Sequence, residues 1–136
     1  NGDVIGASRS NDKPIKKISE WFDASCDVFI NNAYDDDNLM AQSDALKYVF
    51  KEWKDKSNKH IISIGSISPD FEDYDKPSWY NKSAEKCTII RPGWVDTPKI
   101  KEIWDGNKLT VNQIEDVINF VINFQGRIRE ITLESN

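Results

Sequence analysis

Three short runs rich in β-branched residues do most to restrict what this chain can fold into. They are Cys26-Asp27-Val28-Phe29-Ile30, His60-Ile61-Ile62-Ser63-Ile64 and Cys87-Thr88-Ile89-Ile90. Each stops at polar or small residues: Asn31-Asn32, Gly65-Ser66 and, shortly on, Pro92-Gly93. Apolar runs of this length, bounded by turn residues, read as strands buried on both faces. The stretches between them change period. Ile15, Ile18, Trp21 and Phe22 fall at helical spacing, as do Leu39, Leu46, Val49, Phe50 and Trp53. A further strand is predicted over Asp3–Ser8 and a last one over Ile128–Leu133. Between the last two strands a helix is predicted up to Phe124, with the stripe Val111, Ile114, Val117, Ile118, Val121 and Ile122. Thr110 and Gln113 have the spacing of a capping box at its start, and Gln125-Gly126 closes it. Strands alternating with helices imply an α/β fold whose parallel sheet is covered by helices.

The 136 residues suit one domain spanning 1–136. A net charge of -5 argues against a nucleic-acid partner, which calls for a basic patch or stripe. No apolar run nears the roughly 20 residues that span a bilayer, and the first residues lack a signal-peptide pattern. Cys26 and Cys87 lie in apolar strand contexts, as buried reduced thiols of a cytoplasmic protein do. With one histidine, His60, and no Cys-x-x-Cys pair, no metal site is expected, and Asp35-Asp36-Asp37 reads as a solvated run. The tryptophans read as core or interface residues, except Trp94, whose place after Pro92-Gly93 suits a substrate pocket.

In a parallel α/β sheet, ligands bind beyond the carboxyl ends of the strands. Four stretches would meet there: Ser8-Arg9-Ser10, Asn31-Asn32-Ala33, Gly65-Ser66 and Pro92 to Thr97. Tyr80 follows in a loop rich in Asp, Pro and Ser. A serine and a tyrosine beside a cation can exchange a proton with a carbonyl oxygen, because the cation lowers the phenol pKa from its ordinary value near 10.

In this order, NNA (31–33), IISIGS (61–66), Tyr80 with Ser83, and PGWVDT (92–97) resemble the short-chain dehydrogenase/reductase family over most of the chain. The resemblance implies a Rossmann-like doubly wound parallel sheet and an oxidoreductase moving a hydride between a nicotinamide cofactor and a carbonyl or alcohol. Ser66 would orient the substrate carbonyl and Tyr80 would be the general acid/base. Asn31, Asn32 and Ala33 would line the adenosine side and stabilise the sheet, while Pro92, Gly93, Val95 and Thr97 would pack beside the nicotinamide and its phosphates. Arg9 would pair with a 2′-phosphate, favouring NADP over NAD. A homo-oligomer packed through helices is also implied.

The chain departs from the family pattern in three places. The family opens with a strand and a glycine-rich turn, and this sequence reads as lacking both and starting at the second strand, since Gly2 and Gly6 have the wrong spacing; Tyr34 stands where the family has a glycine after NNA. The pattern Tyr-x-x-x-Lys meets Ala84 in place of its lysine, and Lys82 and Lys86 are at the wrong offsets. Only Ala84-Glu85-Lys86 separates Ser83 from the next strand, where the family runs a long helix. These departures read as a sheet that is truncated or has missing segments, before Asn1 and between Ser83 and Ala84, with the catalytic lysine among them. Three alternatives stay open. One is a relative that binds cofactor or regulates without catalysis, another is an epimerase or dehydratase acting on a sugar nucleotide, and the third is a fragment with no activity of its own.

Overall fold

A computed structural model of the chain describes residues 12–32, 40–67 and 87–136. The described residues form an α/β structure around a four-stranded, all-parallel sheet. Its strands are β1 (Val28–Asn31), β2 (His60–Ile64), β3 (Cys87–Pro92) and β4 (Glu130–Leu133), and they lie in chain order. The helices are α1 (Ile18–Trp21), α2 (Ala41–Trp53), α3 (Pro98–Lys101) and α4 (Val111–Asn123).

The elements follow the predicted alternation, with differences at their ends. A turn of 3₁₀ helix over Ile15–Lys17 leads into α1, so the predicted single helix changes pitch midway. The Pro14 carbonyl starts it, accepting from Lys17 N at 3.0 Å and from Trp21 Nε1 at 2.8 Å. β3 runs past Ile90 because Arg91 and Pro92 stay in register with Thr132 and Leu133. Proline has no N–H to give to the ladder, and the strand ends at Pro92. The capping box of α4 is present: Gln113 N donates to Thr110 Oγ1 at 3.1 Å, and Thr110 N to Gln113 Oε1 at 2.8 Å. The expected strand over Asp3–Ser8 lies outside the described residues.

Strand alternation sorts the core into two layers. Phe29, Ile61, Cys87 and Ile89 point to one face, where Ala45, Leu46, Val49, Phe50 and Trp53 of α2 cover them. Ile62, Ile90, Ile131 and Leu133 point to the other, where Val117, Ile118 and Val121 of α4 pack. Both crossovers, β1 to β2 through α2 and β3 to β4 through α4, step one strand in the same direction. With their helices on opposite faces, they must have opposite hands. Since nearly all such connections are right-handed, one of the two is the uncommon left-handed form. A doubly wound sheet covers its two faces by reversing strand order, whereas the described strands achieve this without a reversal.

The two cysteines are free thiols, Cys87 buried in the first layer and Cys26 packed at its margin. Among the described residues no helix is long and apolar enough to cross a membrane.

His60 opens β2 at the amino edge of the sheet, with Nε2 2.8 Å from Thr88 Oγ1. The Thr88 hydroxyl proton already goes to the Ile128 carbonyl at 2.5 Å. Nε2 must therefore carry a proton and donate. Burial lowers the His60 pKa from its ordinary 6.5. The fold thus favours the neutral ring, and the sign follows: this contribution is complete above 6.5 and is lost as pH falls through the lower folded value. The urea midpoint should fall between pH 7.5 and pH 5, and His60→Gln should show a smaller fall over that interval. An equal fall in the variant would remove His60 as the cause.

Candidate functional site at the carboxyl edge of the sheet

Because all four strands are parallel, their carboxyl ends share one edge, and the main chain there is tied strand to strand. Gly65 N donates to the Ile90 carbonyl at 2.8 Å, and Ile67 N to the Pro92 carbonyl at 3.2 Å. Gly93 N donates to the Leu133 carbonyl at 2.8 Å. The turn carrying Ser66 is thereby held directly against Pro92-Gly93. Ser66 is half-buried and Pro92 buried.

Asn31 ends β1 one strand further along, in register with Ser63 of β2. Its side chain is 1% exposed and faces α2, where Nδ2 donates to the Gln42 carbonyl at 3.0 Å. The exchange is mutual, because Gln42 Nε2 donates to the Asn31 carbonyl at 3.1 Å and to the Ile64 carbonyl at 3.0 Å. One glutamine thus bonds two strand-end carbonyls and ties the ends of β1 and β2 to the start of α2. Asn31 is internal and fastens β1 to α2, and Asn32 beside it is exposed. Two buried atoms next to this join, Asn31 Oδ1 and Ser63 Oγ, have no hydrogen-bond partner.

Beyond β3 the chain leaves the sheet in a closed excursion. Leu109 N donates to the Trp94 carbonyl and Asp96 N to the Leu109 carbonyl, both at 2.8 Å, forming a parallel bridge between Val95 and Leu109. Val95 and Thr97 are half-buried. Thr97 precedes α3, yet its hydroxyl makes no capping bond, and Pro98 takes the first helical position. Trp94 stacks on Trp104, ring centroids 5.6 Å apart and 16° between planes. Both indoles are exposed, so Trp104 is not part of the core. A Cβ on Gly106 would meet the Trp104 ring at 2.5 Å, so glycine is required for the ring to lie where it does.

Of the residues singled out in the sequence, Asn31, Ser66, Pro92 and Gly93 are brought to one edge. Val95 and Thr97 sit on the excursion just beyond it. Arg9, Ala33 and Tyr80 lie outside the described residues, as do Tyr34, Asp35-Asp36-Asp37 and the Ser83-Ala84 junction.

Gln42 and Arg91 were not foreseen. Gln42 is one polar residue in the first turn of an amphipathic helix and carries no pattern of its own. Arg91 did leave a signal: a charge between Ile90 and Pro92, in an otherwise apolar strand, calls for a buried partner. Its partner is Glu130, whose own side chain reaches solvent, bound through Nε, while an Nη1 proton goes to the Ser66 carbonyl at 3.0 Å.

No protein-family model matches the chain, and no curated protein matches it.

Proposed function

We propose that the chain is the NADP-binding domain, Rossmann-like in type, of an oxidoreductase of the short-chain dehydrogenase/reductase kind, acting on a carbonyl or alcohol. The observation that carries this reading is the convergence of Ser66 and Pro92-Gly93 at the carboxyl edge of an all-parallel sheet. In such sheets that edge is where nucleotides bind.

The residues present fit the nicotinamide end of such a cofactor. A Cβ on Gly93 would meet its nearest neighbours, Ile67 Cδ1 and the Leu133 carbonyl oxygen, at 3.5 Å. Packing alone therefore does not demand a glycine at this position, and Gly93 is half-buried at the edge. The Thr97 hydroxyl, without a capping role, can bond a phosphate or carboxamide. On this reading Pro92, Gly93, Val95 and Thr97 hold the nicotinamide side, Arg9 pairs with the 2′-phosphate, and Asn31 keeps β1 in place beneath. The nicotinamide supplies the hydride chemistry. Ser66 donates a hydrogen bond to the substrate oxygen, and the Tyr80 hydroxyl exchanges the proton with that oxygen.

The test is nucleotide titration of the purified chain followed by assay of Ser66→Ala. NADP should bind more tightly than NAD, with the preference lost in Arg9→Ala. Ser66→Ala should lower turnover at least tenfold while NADP affinity stays within about twofold, because the serine touches substrate rather than cofactor. Absence of nucleotide binding, or full turnover in Ser66→Ala, would overturn the reading.

A further inference from the structure

We propose that Arg91 is a positioning residue for the Ser66 turn and that β4, through Glu130, is part of the scaffold holding it. The catalytic half of this inference rests on the reading of Ser66 given above; the structural half does not. Arg91 is 8% exposed, a cation inside the sheet layer. Its guanidinium spans two groups on different segments: Nε donates to Glu130 Oε1 at the start of β4, and Nη1 donates to the Ser66 carbonyl at 3.0 Å, just past β2. The Glu130 carboxylate compensates a charge that burial would otherwise penalise. The rigid fork of the guanidinium then fixes the Ser66 carbonyl relative to β4. A lysine offers a single nitrogen on a flexible stem and cannot hold both partners in one geometry.

The amides of Gly65 and Ile67 flank Ser66 and donate to β3. They therefore report on the turn without requiring any activity. Amide hydrogen exchange would be followed by NMR in the full chain, comparing Arg91→Met and Glu130→Gln with the unaltered protein. Arg91→Lys would serve where Arg91→Met fails to fold. Exchange at Gly65 and Ile67 should quicken at least tenfold in the arginine variants, with Glu130→Gln intermediate, while the amides of Ile62 and Ile90 keep their protection. Unchanged exchange at Gly65 and Ile67 would overturn the proposal. So would an equal loss of protection across β2 and β3, which would make Arg91 a general support of the sheet.

The kinetic arm reads carbonyl reduction with NADPH. Arg91→Lys should lower kcat about tenfold with KM nearly unchanged, the signature of a displaced rather than missing Ser66. Equal kcat in the variant would overturn the positioning role. An unaltered protein that binds no nucleotide would instead sink the reductase reading, and the exchange result would still decide the clamp.

Discussion

Trp53→Ala is expected to cost about 3–5 kcal/mol, the range for deleting a buried large aromatic side chain. That would remove much of the roughly 5–15 kcal/mol that holds a domain of this size together. Trp53 is fully buried at the end of α2 and does three things there. Its ring packs on Phe22 at 5.4 Å, and Phe22 in turn meets Phe29 and Tyr48 edge-on at 5.6 and 6.0 Å. Its Nε1 donates to the Ala24 carbonyl at 3.0 Å, fixing the turn that leads into β1. The Lys59 ammonium lies 5.3 Å from the ring centre while also donating to the Cys26 carbonyl at 2.6 Å. One side chain therefore couples α2, the α1–β1 connection and the entry to β2. Trp53→Phe keeps a ring but strands the Ala24 carbonyl, and should cost about 1–3 kcal/mol. Urea unfolding of both variants measures this. A loss under 1 kcal/mol in Trp53→Ala would mean that the cluster does not organise the first core layer.

What the sequence conveyed well were the features that repeat. The run of His60–Ile64 was read with the bounds that the structure gives it, because a strand buried on both faces leaves a contiguous apolar signal. The start of α4 was equally legible, since a capping box is local chemistry between residues three apart. The strand-end positions of Asn31, Ser66 and Pro92-Gly93 could be anticipated from where the apolar runs stop. Other features depend on long-range contact and leave little trace in a local window. The opposite hands of the two crossovers follow from which face each helix covers, and an amphipathic stripe does not say which side of a sheet it will meet. The mutual bonding of Asn31 and Gln42 joins a strand end to a helix start, and neither residue type announces the other. The Pro-Gly pair led the sequence reading to end β3 too early. Its hydrogen bonds belong to the edge itself, with the Pro92 carbonyl accepting from Ile67 and Gly93 N donating to β4.

On the proposed function, Tyr80→Phe should reduce kcat about 10²- to 10⁴-fold, the usual worth of a positioned general acid/base. Phenylalanine keeps the ring and removes only the hydroxyl. NADP affinity should therefore stay within about twofold, because the proton is exchanged with substrate and the cofactor does not need it. Stopped-flow turnover together with a nucleotide titration separates the two effects. Undiminished turnover would remove Tyr80 from the mechanism, and loss of both turnover and binding would make it a structural residue. The pH profile of the unaltered protein adds a sharper test. In alcohol oxidation the phenolate is the base, so the rate rises with pH through the phenol pKa. An isolated phenol titrates near 10, and only a neighbouring cation brings it toward neutrality. Ala84 occupies the place where the resemblance calls for lysine. A rise centred well below 10 would therefore require a cation other than a side chain at that position, and scanning Lys82 and Lys86 by substitution to Met would find it if it lies close in sequence. A rise centred near 10 would mean that Tyr80 works unassisted, with turnover at neutral pH reduced in proportion to the small phenolate fraction.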